Sequence, residues 1–177
     1  AGWGQMLGNY FDNTYIAISN YAAGGRSSKS FINEGRLKAI LNNIKKGDYL
    51  FIQFTHNDQK PDEALHTDPN TTFKEYLLQY IRGARAKGAY PVLVTPPTRR
   101  AFWGEGGTFN GIENLGAYPQ AMREVGEAYG VPVVDLTPQW ANLVSTLGNE
   151  GSKEFYLYIE ANDPRFISDP RFANSVY

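Results

Sequence analysis

Short apolar runs alternate with amphipathic stretches along this chain, and that alternation constrains its fold more than any other feature. The runs are YIAIS at 15–19, YLFIQF at 49–54, YPVLV at 90–94 and VPVVD at 131–135. They lack the regular apolar and polar alternation of a half-exposed strand. Continuous apolar strands joined by helices are typical of parallel sheets covered on both faces. We therefore predict one α/β domain with a parallel sheet flanked by helices.

The helices between these runs are predicted from apolar side chains that recur every three to four residues. Thr72 and Glu75 have the spacing of a capping box, which predicts that a helix begins there. A glycine just beyond an apolar stripe predicts the end of a helix. A further helix is expected to begin near Ser27 or Ser28. The stripes predict helices over 37–44, 72–86, 118–129 and 137–147.

Ligands in open α/β sheets bind at the carboxyl ends of strands, in the loops that lead into helices. Such loops are predicted at 20–27, 55–72, 95–117 and 135–138. The third is long and rich in proline and glycine, and loops of that length are usually functional or disordered. The residues after Gly151 are predicted to form an irregular surface segment.

Length and composition restrict the class of protein. The 177 residues fit a single domain over 1–177, and no linker is visible. Seventeen basic and eighteen acidic residues do not give the basic surface that binds nucleic acid or an anionic membrane, so neither partner is expected. The absence of cysteine excludes a disulfide framework, a thiolate metal site and a cysteine nucleophile. The aromatic content of 14% suits either a sugar-contacting surface or a core.

The stretch NYAAGGRSSKSF at 20–31 places a glycine pair just before a predicted helix. Backbone N–H groups at a helix start are unpaired and can face an anion or a developing oxyanion. Glycine permits positive φ and close approach. A plain turn with a serine N-cap is the alternative, and a phosphate-binding nest at 24–28 is another. No Walker or dinucleotide fingerprint is present.

The stretch THND directly follows the run at 49–54. Asn57 at the carboxyl end of a strand can aim an amide donor into a cleft, and Asp58 can orient neighbouring groups. A polar turn is the alternative, because Asn-Asp favours turns. His56 and His66 are the only histidines, and their spacing does not match a recognised metal-ligand pattern, so no metal is expected.

The blocks GWGQML, NYAAGGRSSKSF and GDYLFIQFTHND, in that order, resemble the SGNH hydrolases, and within them the rhamnogalacturonan acetylesterase branch. Members of that family carry a Gly-Asp-Ser block with the nucleophile, a block with one glycine, a Gly-x-Asn-Asp block and an Asp-x-x-His block with the general base. The resemblance implies a three-layer, flavodoxin-like α/β fold and hydrolysis of acetyl esters on pectin-type polysaccharide or oligosaccharide. It implies no metal and no organic cofactor.

By this resemblance Gly25 supplies a backbone N–H and Asn57 a side-chain amide to the oxyanion hole of the family. The third loop carries Arg99, Arg100 and Trp103, which we predict to bind substrate. Arginine suits a uronate carboxylate, and tryptophan suits the face of a sugar ring. A surface loop with one aromatic side chain tucked beneath it is the alternative.

The sequence departs from the family pattern at several points. Thr55 stands where the family has the glycine of its third block, and neither Gly-Asp-Ser nor Asp-x-x-His occurs in the 177 residues. Ser27 and Ser28 are expected to cap a helix rather than to act as nucleophiles. We therefore expect an internal fragment, incomplete at both ends, that holds the oxyanion donors but neither nucleophile nor base. Alone it is expected to be inactive and poorly stable, and the complete protein is expected to be a monomer. A non-catalytic carbohydrate-binding relative is the alternative.

Overall fold

The computed structural model describes residues 2–104 and 107–156. The chain divides into two compact units, each described here by itself. The first unit comprises Ala1–Pro96 and Leu115–Leu136, and the second comprises Pro97–Asn114 and the residues from Thr137 onward. The prediction of a single domain over 1–177 stays a prediction.

The described residues form strands, α-helices and short 3-10 helices. In chain order the strands are β1 (Tyr49–Ile52), β2 (Tyr90–Val94), β3 (Phe102–Trp103), β4 (Thr108–Phe109) and β5 (Val133–Val134). The α-helices are α1 (Ser28–Asn33), α2 (Arg36–Asn43), α3 (Thr72–Ala86), α4 (Tyr118–Tyr129) and α5 (Leu136–Gly151). Short 3-10 helices cover Gly2–Gln5, Leu7–Tyr10, Glu113–Leu115 and Ser152–Tyr156.

The first unit is built on a parallel sheet with the strand order β1-β2-β5. Ile52 pairs with Leu93, and Leu93 pairs in turn with Val133. The side chains of Ile52 and Leu93 are buried in the core cluster beneath the helices. The predicted α/β class with a parallel sheet flanked by helices is therefore confirmed.

The core between sheet and helices is formed by the apolar stripes that the sequence predicts. Phe73, Leu77 and Ile81 of α3 are buried, as are Met122 and Val125 of α4. These side chains cluster with the buried face of the sheet and with Phe31, Leu37 and Ile40 from α1 and α2.

Two glycines allow elements of the first unit to approach closely. A Cβ added at Gly83 of α3 would lie 2.7 Å from Leu41 Cδ1, and one added at Gly126 of α4 would lie 2.2 Å from Val133 Cγ2. Both distances are far below van der Waals contact. Helix α3 therefore packs closely on α2, and α4 on β5, and a larger residue at either glycine would require Leu41 or Val133 to shift.

Three local predictions are wrong. Residues 15–19 form no strand, because a strand needs a ladder partner and the described residues provide none. The capping box at Thr72 does not form, because the Thr72 hydroxyl accepts from the N–H of Asp68 and Thr71 occupies the N-cap. The third loop is not free of regular structure, since β3 and β4 form an antiparallel hairpin within it.

Strand β1 differs from the doubly covered strand that its apolar run predicts. Tyr49 and Phe51 point away from the core cluster and are 64% and 42% exposed. Among the described residues β1 lies at the edge of the sheet, with β2 as its ladder partner. Trp3 contacts Phe51 edge-on, with ring centroids 6.3 Å apart.

The second unit contains the β3–β4 hairpin, α5 and the 3-10 helix at Ser152–Tyr156. Gly148 has φ 68° and ψ −174°, so α5 is kinked at the glycine predicted to end it. The Tyr156 hydroxyl accepts from Trp140 Nε1 and donates to the carbonyl oxygen of Thr98, which ties α5 to the segment before the hairpin. Over 2–104 and 107–156, no helix has the length and apolar character needed to cross a membrane.

Candidate active site

Two turns of the first unit meet at the carboxyl end of β1. One turn, Gly24–Ser27, leads into α1, and the other, Thr55–Asp58, follows β1. The Asn57 side-chain amide donates to the carbonyl oxygen of Arg26, with an Nδ2–O distance of 3.1 Å. The two stretches that the sequence singles out are therefore neighbours in space.

Gly25 adopts a backbone conformation that favours glycine. Its φ is +76°, in the left-handed region that L side chains rarely adopt, and the residue is exposed. A Cβ at this position would meet nothing within 4 Å, so the space beside it is open. Within the described residues its N–H makes no hydrogen bond and remains available to a ligand.

The Arg26 side chain stabilises the first turn from outside. Its Nη1 donates to the carbonyl oxygen of Gly24 at 2.8 Å, and its Nε lies 3.1 Å from both carboxylate oxygens of Glu34. Hydrogen bonds from Arg36 and Arg26 lower the pKa of Glu34. The turn is therefore anchored to the end of α1, while Gly25 stays open.

The serines that follow Gly25 have structural partners. Ser27 is the N-cap of α1 and forms a capping box with Ser30, as the N-cap interpretation predicts. Ser28 is fully buried, and its hydroxyl donates to Asp58. Neither hydroxyl is paired with a histidine, which is the pairing that activates a serine nucleophile.

Asp58 is the buried centre of the site. Its carboxylate accepts hydrogen bonds from the Ser28 N–H at 3.0 and 3.2 Å, from the Ser28 hydroxyl and from the Thr67 hydroxyl at 3.0 Å. Asp58 is 0% exposed, and burial raises its pKa above 3.8, although the hydrogen bonds from Ser28 and Thr67 oppose that rise. The interpretation of THND as a polar turn does not predict these partners, because Ser28 lies thirty residues from Asp58 in the sequence.

Two buried tyrosines fix the backbone around Asp58. The Tyr80 hydroxyl of α3 donates to the carbonyl oxygen of Ser28 at 2.8 Å. The Tyr118 hydroxyl of α4 lies within hydrogen-bond distance of the carbonyl oxygens of Asp58 and Thr67. Burial raises the pKa of both phenols, so they stay neutral donors. The apolar stripes of α3 and α4 include Tyr80 and Tyr118 respectively, but the spacing of a stripe does not predict that a hydroxyl reaches the site.

Thr55 occupies a conformation that glycine favours. Its φ is +152°, and it is the one residue other than glycine with a positive φ in the described part of the chain. Its buried hydroxyl has no hydrogen-bond partner among the described residues. Strained backbone and an unpaired buried hydroxyl each cost about 1–3 kcal/mol. Replacement of the family glycine by threonine is therefore unfavourable at this position.

A row of side-chain hydrogen bonds crosses the ends of the three parallel strands. Gln53, Thr95 and Asp135 each follow the last residue of β1, β2 or β5. Gln53 accepts from Trp3 Nε1 at 3.1 Å and donates to the Thr95 carbonyl oxygen at 3.3 Å. The Thr95 hydroxyl donates to Asp135 at 2.9 Å, and Arg123 binds the same carboxylate at 3.0 and 3.1 Å. Sequence reasoning did not find this row, although each member directly follows an apolar run.

The two histidines lie apart from any ligand cluster. His56 is half-buried, and His66 is exposed, with its Nδ1 3.1 Å from the Lys60 carbonyl oxygen. In the part of the chain that the structure describes, no group of three or more histidine, aspartate or glutamate side chains is placed to hold a metal ion.

Arg99, Arg100 and Trp103 belong to the second unit. Arg100 donates to the Asn149 main chain at 2.7 Å and to Ser152 at 3.2 Å, and it lies 5.8 Å from the ring centroid of Phe102. Its guanidinium therefore joins the hairpin to the end of α5. Trp103 is 64% exposed on β3, and Arg99 is exposed. Substrate binding by these three residues stays a prediction.

The arrangement supplies hydrogen-bond donors to an anion. One Asn57 N–H is committed to Arg26, and this bond orients the amide so that the second N–H has no partner among the described residues. Gly25 offers its N–H from the neighbouring turn. An oxyanion hole needs two such donors directed at one point, and the oxyanion role of Gly25 and Asn57 stays a prediction.

Comparison with known proteins gives consistent matches. The sequence profile of the GDSL-like lipase/acylhydrolase family matches residues 1–152. The chain is 43% identical over 163 residues to the rhamnogalacturonan acetylesterase RhgT of Bacillus subtilis, which covers 92% of this chain and 67% of that protein. It is 31% identical to a rhamnogalacturonan acetylesterase of Emericella nidulans, over 88% of this chain and 69% of that protein. The crystal structure of YxiM from Bacillus subtilis superimposes with a TM-score of 0.77 at 33% identity, covering 90% of this chain and 43% of that one.

Proposed function

The chain belongs to the GDSL-like lipase/acylhydrolase family, an ester hydrolase family, and on this premise we propose that it forms the oxyanion-binding part of a carbohydrate esterase. The reaction is removal of acetyl groups from rhamnogalacturonan by serine acyl transfer. The observation that carries this proposal is the hydrogen bond from Asn57 to the Arg26 carbonyl oxygen, which places the two predicted donor turns side by side.

The substrate class is supported by the relatives. Two rhamnogalacturonan acetylesterases, from a bacterium and a fungus, match about nine tenths of this chain at 43% and 31% identity. Acetylated rhamnogalacturonan is therefore the substrate to test first.

In the proposed mechanism a serine oxygen attacks the acetyl carbonyl carbon, and a histidine takes the serine proton. The carbonyl π pair moves to oxygen, and the Gly25 N–H and the Asn57 amide stabilise that oxyanion. Collapse of the intermediate expels the sugar oxygen, which receives the proton from histidine. Water then repeats the sequence on the acetyl-serine and releases acetate. Each well-placed oxyanion donor contributes about 3–4 kcal/mol to the transition state.

We propose that the serine and the histidine-aspartate base lie outside residues 1–177. The printed sequence contains no Gly-Asp-Ser and no Asp-x-x-His, and Ser27 and Ser28 are committed to capping and to Asp58. The 177-residue chain alone is then expected to be inactive. Arg99 and Trp103 remain our proposed contacts for a uronate carboxylate and a sugar face.

A non-catalytic carbohydrate-binding protein is the second candidate, favoured by the same absence of both catalytic motifs from the sequence. The two candidates differ in one measurable property. The esterase releases acetate, whereas the binding protein retains affinity for the polysaccharide without turnover.

A fluorophosphonate probe tests the proposal directly, because it labels only an activated serine. The protein from the complete coding sequence is treated with the probe, digested and mapped by mass spectrometry, and acetate release from acetylated rhamnogalacturonan is measured in parallel. We expect acetate release and an adduct on a serine outside 1–177. An adduct on Ser27 or Ser28 contradicts the proposed location of the nucleophile. Binding without adduct or acetate release supports the second candidate.

A further inference from the structure

Asp58 holds the two donor turns together by a second set of contacts that the proposed reaction does not itself use. Asp58 is the neighbour of Asn57, and its carboxylate binds both the N–H and the hydroxyl of Ser28. Ser28 lies three residues after Gly25. The Asn57–Arg26 bond therefore joins the two turns, and the Asp58–Ser28 bonds join the second turn to the first residue of α1, which directly follows the first turn.

We propose that Asp58 is a positioning residue that fixes the spacing between the Gly25 N–H and the Asn57 amide, an inference that rests on the proposed function. Asp58 itself touches no reacting atom, since it is fully buried behind Asn57. Its effect on catalysis passes through the geometry of the two donors.

The contacts of Asp58 support a positioning role. A carboxylate that accepts from a main-chain N–H and two hydroxyls has little freedom to rotate, because each donor is itself held in place. Ser28 is fixed through its carbonyl oxygen by Tyr80, and the Asp58 carbonyl oxygen is fixed by Tyr118. Helices α3 and α4 thus hold both sides of the Asp58–Ser28 contact.

Side chains of both Asn57 and Asp58 join the second turn to the first turn and to the start of α1. Loss of the Asp58 contact would remove one of the links between the turns and leave the part-buried Asn57–Arg26 hydrogen bond under less constraint. A displacement of about 1 Å at a reacting centre can cost about 100-fold in rate.

The test uses the full-length enzyme and compares wild type, Asp58→Asn, Asn57→Ala and the double variant. Asp58→Asn is expected to lower kcat by about 10- to 100-fold with little change in KM, because the donors act on the transition state. In the Asn57→Ala background the same change is expected to cost only a fraction of that factor, because residues that act as one unit are not additive.

Asp48→Asn is the matched control. Asp48 lies just before β1, and its carboxylate accepts from the Lys45 N–H at 2.8 Å in an exposed turn. The same substitution there removes a charge and weakens a turn without contact to the donor turns, so kcat is expected to stay unchanged. The proposal is overturned if Asp58→Asn lowers kcat by the same factor in wild type and in Asn57→Ala. It is also overturned if Asp58→Asn lowers stability but leaves kcat per folded molecule unchanged.

Two further experiments cover the cases in which Asp58→Asn does not fold or wild type is inactive. If Asp58→Asn does not fold, Ser28→Ala is used instead, because it removes only the hydroxyl contact. Effects of Ser28→Ala and Asn57→Ala on kcat that are not additive support the positioning role, and additive effects overturn it. If wild type releases no acetate, the proposed function fails, and the positioning role is decided by NMR. Asp58→Asn is then expected to shift both the Ser28 backbone amide and the Asn57 side-chain amide signals, and a shift of Ser28 alone overturns it.

Discussion

Asn57 and Arg26 are joined by a hydrogen bond from side-chain amide to main-chain carbonyl across thirty-one residues of sequence. This bond directs one Asn57 N–H to the first turn, and the other has no partner among the described residues. In the full-length enzyme we expect Asn57→Ala to lower kcat by roughly 10²–10³, the usual effect of losing one oxyanion donor. Steady-state acetate release measures it. Asn42→Ala, on the exposed side of α2, is the control and should leave kcat unchanged. Wild-type kcat in Asn57→Ala would remove Asn57 from the mechanism.

Gly25→Ala tests the conformation of the first turn. The added methyl group has free space, but φ of +76° costs an L residue about 1 kcal/mol. We expect the free energy of unfolding to fall by about that amount. The kcat should fall less than in Asn57→Ala, since alanine keeps the N–H. Chemical denaturation and kinetics measure both effects. Gly24→Ala is the control, because Gly24 has open space and no positive φ. Equal stability losses in the two variants would argue against strain at Gly25.

Thr55→Gly is expected to stabilise the protein. The substitution relieves a φ of +152° and removes a buried hydroxyl that has no partner among the described residues. We expect a gain of about 1 kcal/mol after the added chain entropy of glycine is subtracted. Thermal unfolding of the full-length protein measures it. Thr146→Gly, on an exposed position of α5, should destabilise instead. A lower Tm for Thr55→Gly would show that threonine has a stabilising partner.

The buried Asp58 predicts a pH dependence of stability with a definite sign. Because its folded-state pKa is raised above 3.8, its stabilising contribution is complete below 3.8 and is lost as the pH rises through the folded-state pKa. The titratable side chains around it are Tyr80 and Tyr118, which stay neutral in this range. As the pH rises across that window, the unfolding free energy of wild type should therefore decrease relative to that of Asp58→Asn. Urea titrations at several pH values test this, and the opposite slope would mean that the hydrogen bonds outweigh burial.

The isolated 177-residue chain is expected to be poorly stable. Among the described residues one edge of β1 is unpaired, and Tyr49 and Phe51 expose large apolar surfaces on it. Calorimetry of the isolated chain beside the full-length protein measures the difference. A sharp two-state transition of the isolated chain at an ordinary Tm would contradict this expectation.

Local signals in the sequence predicted the elements that depend on local causes. The stripe of α3, the run of β2 and the glycine that ends α4 are each determined within a few residues, and each appears where predicted. The segment at 15–19 failed because strand formation depends on a partner that its own sequence does not reveal.

The candidate site likewise contains residues that local signals predict and contacts that they do not. Gly25 and Asn57 were predicted from residue type and resemblance, and Asn57 also from its position after the run at 49–54, and their oxyanion role stays a prediction. The partners of Asp58 were not, because hydrogen bonds to Ser28, Thr67 and Tyr118 depend on how distant elements pack. The unusual φ of Thr55 was visible in the sequence only as a departure from a family glycine.

The hydrogen-bonded row Gln53–Thr95–Asp135 has a mechanical consequence. Strand β5 contributes only Val133 and Val134 to the ladder, which is short for a structural strand. The row begins one residue beyond the ladder and continues the cross-strand connection through side chains. Three chain segments therefore leave the sheet with their first residues already linked to one another by hydrogen bonds.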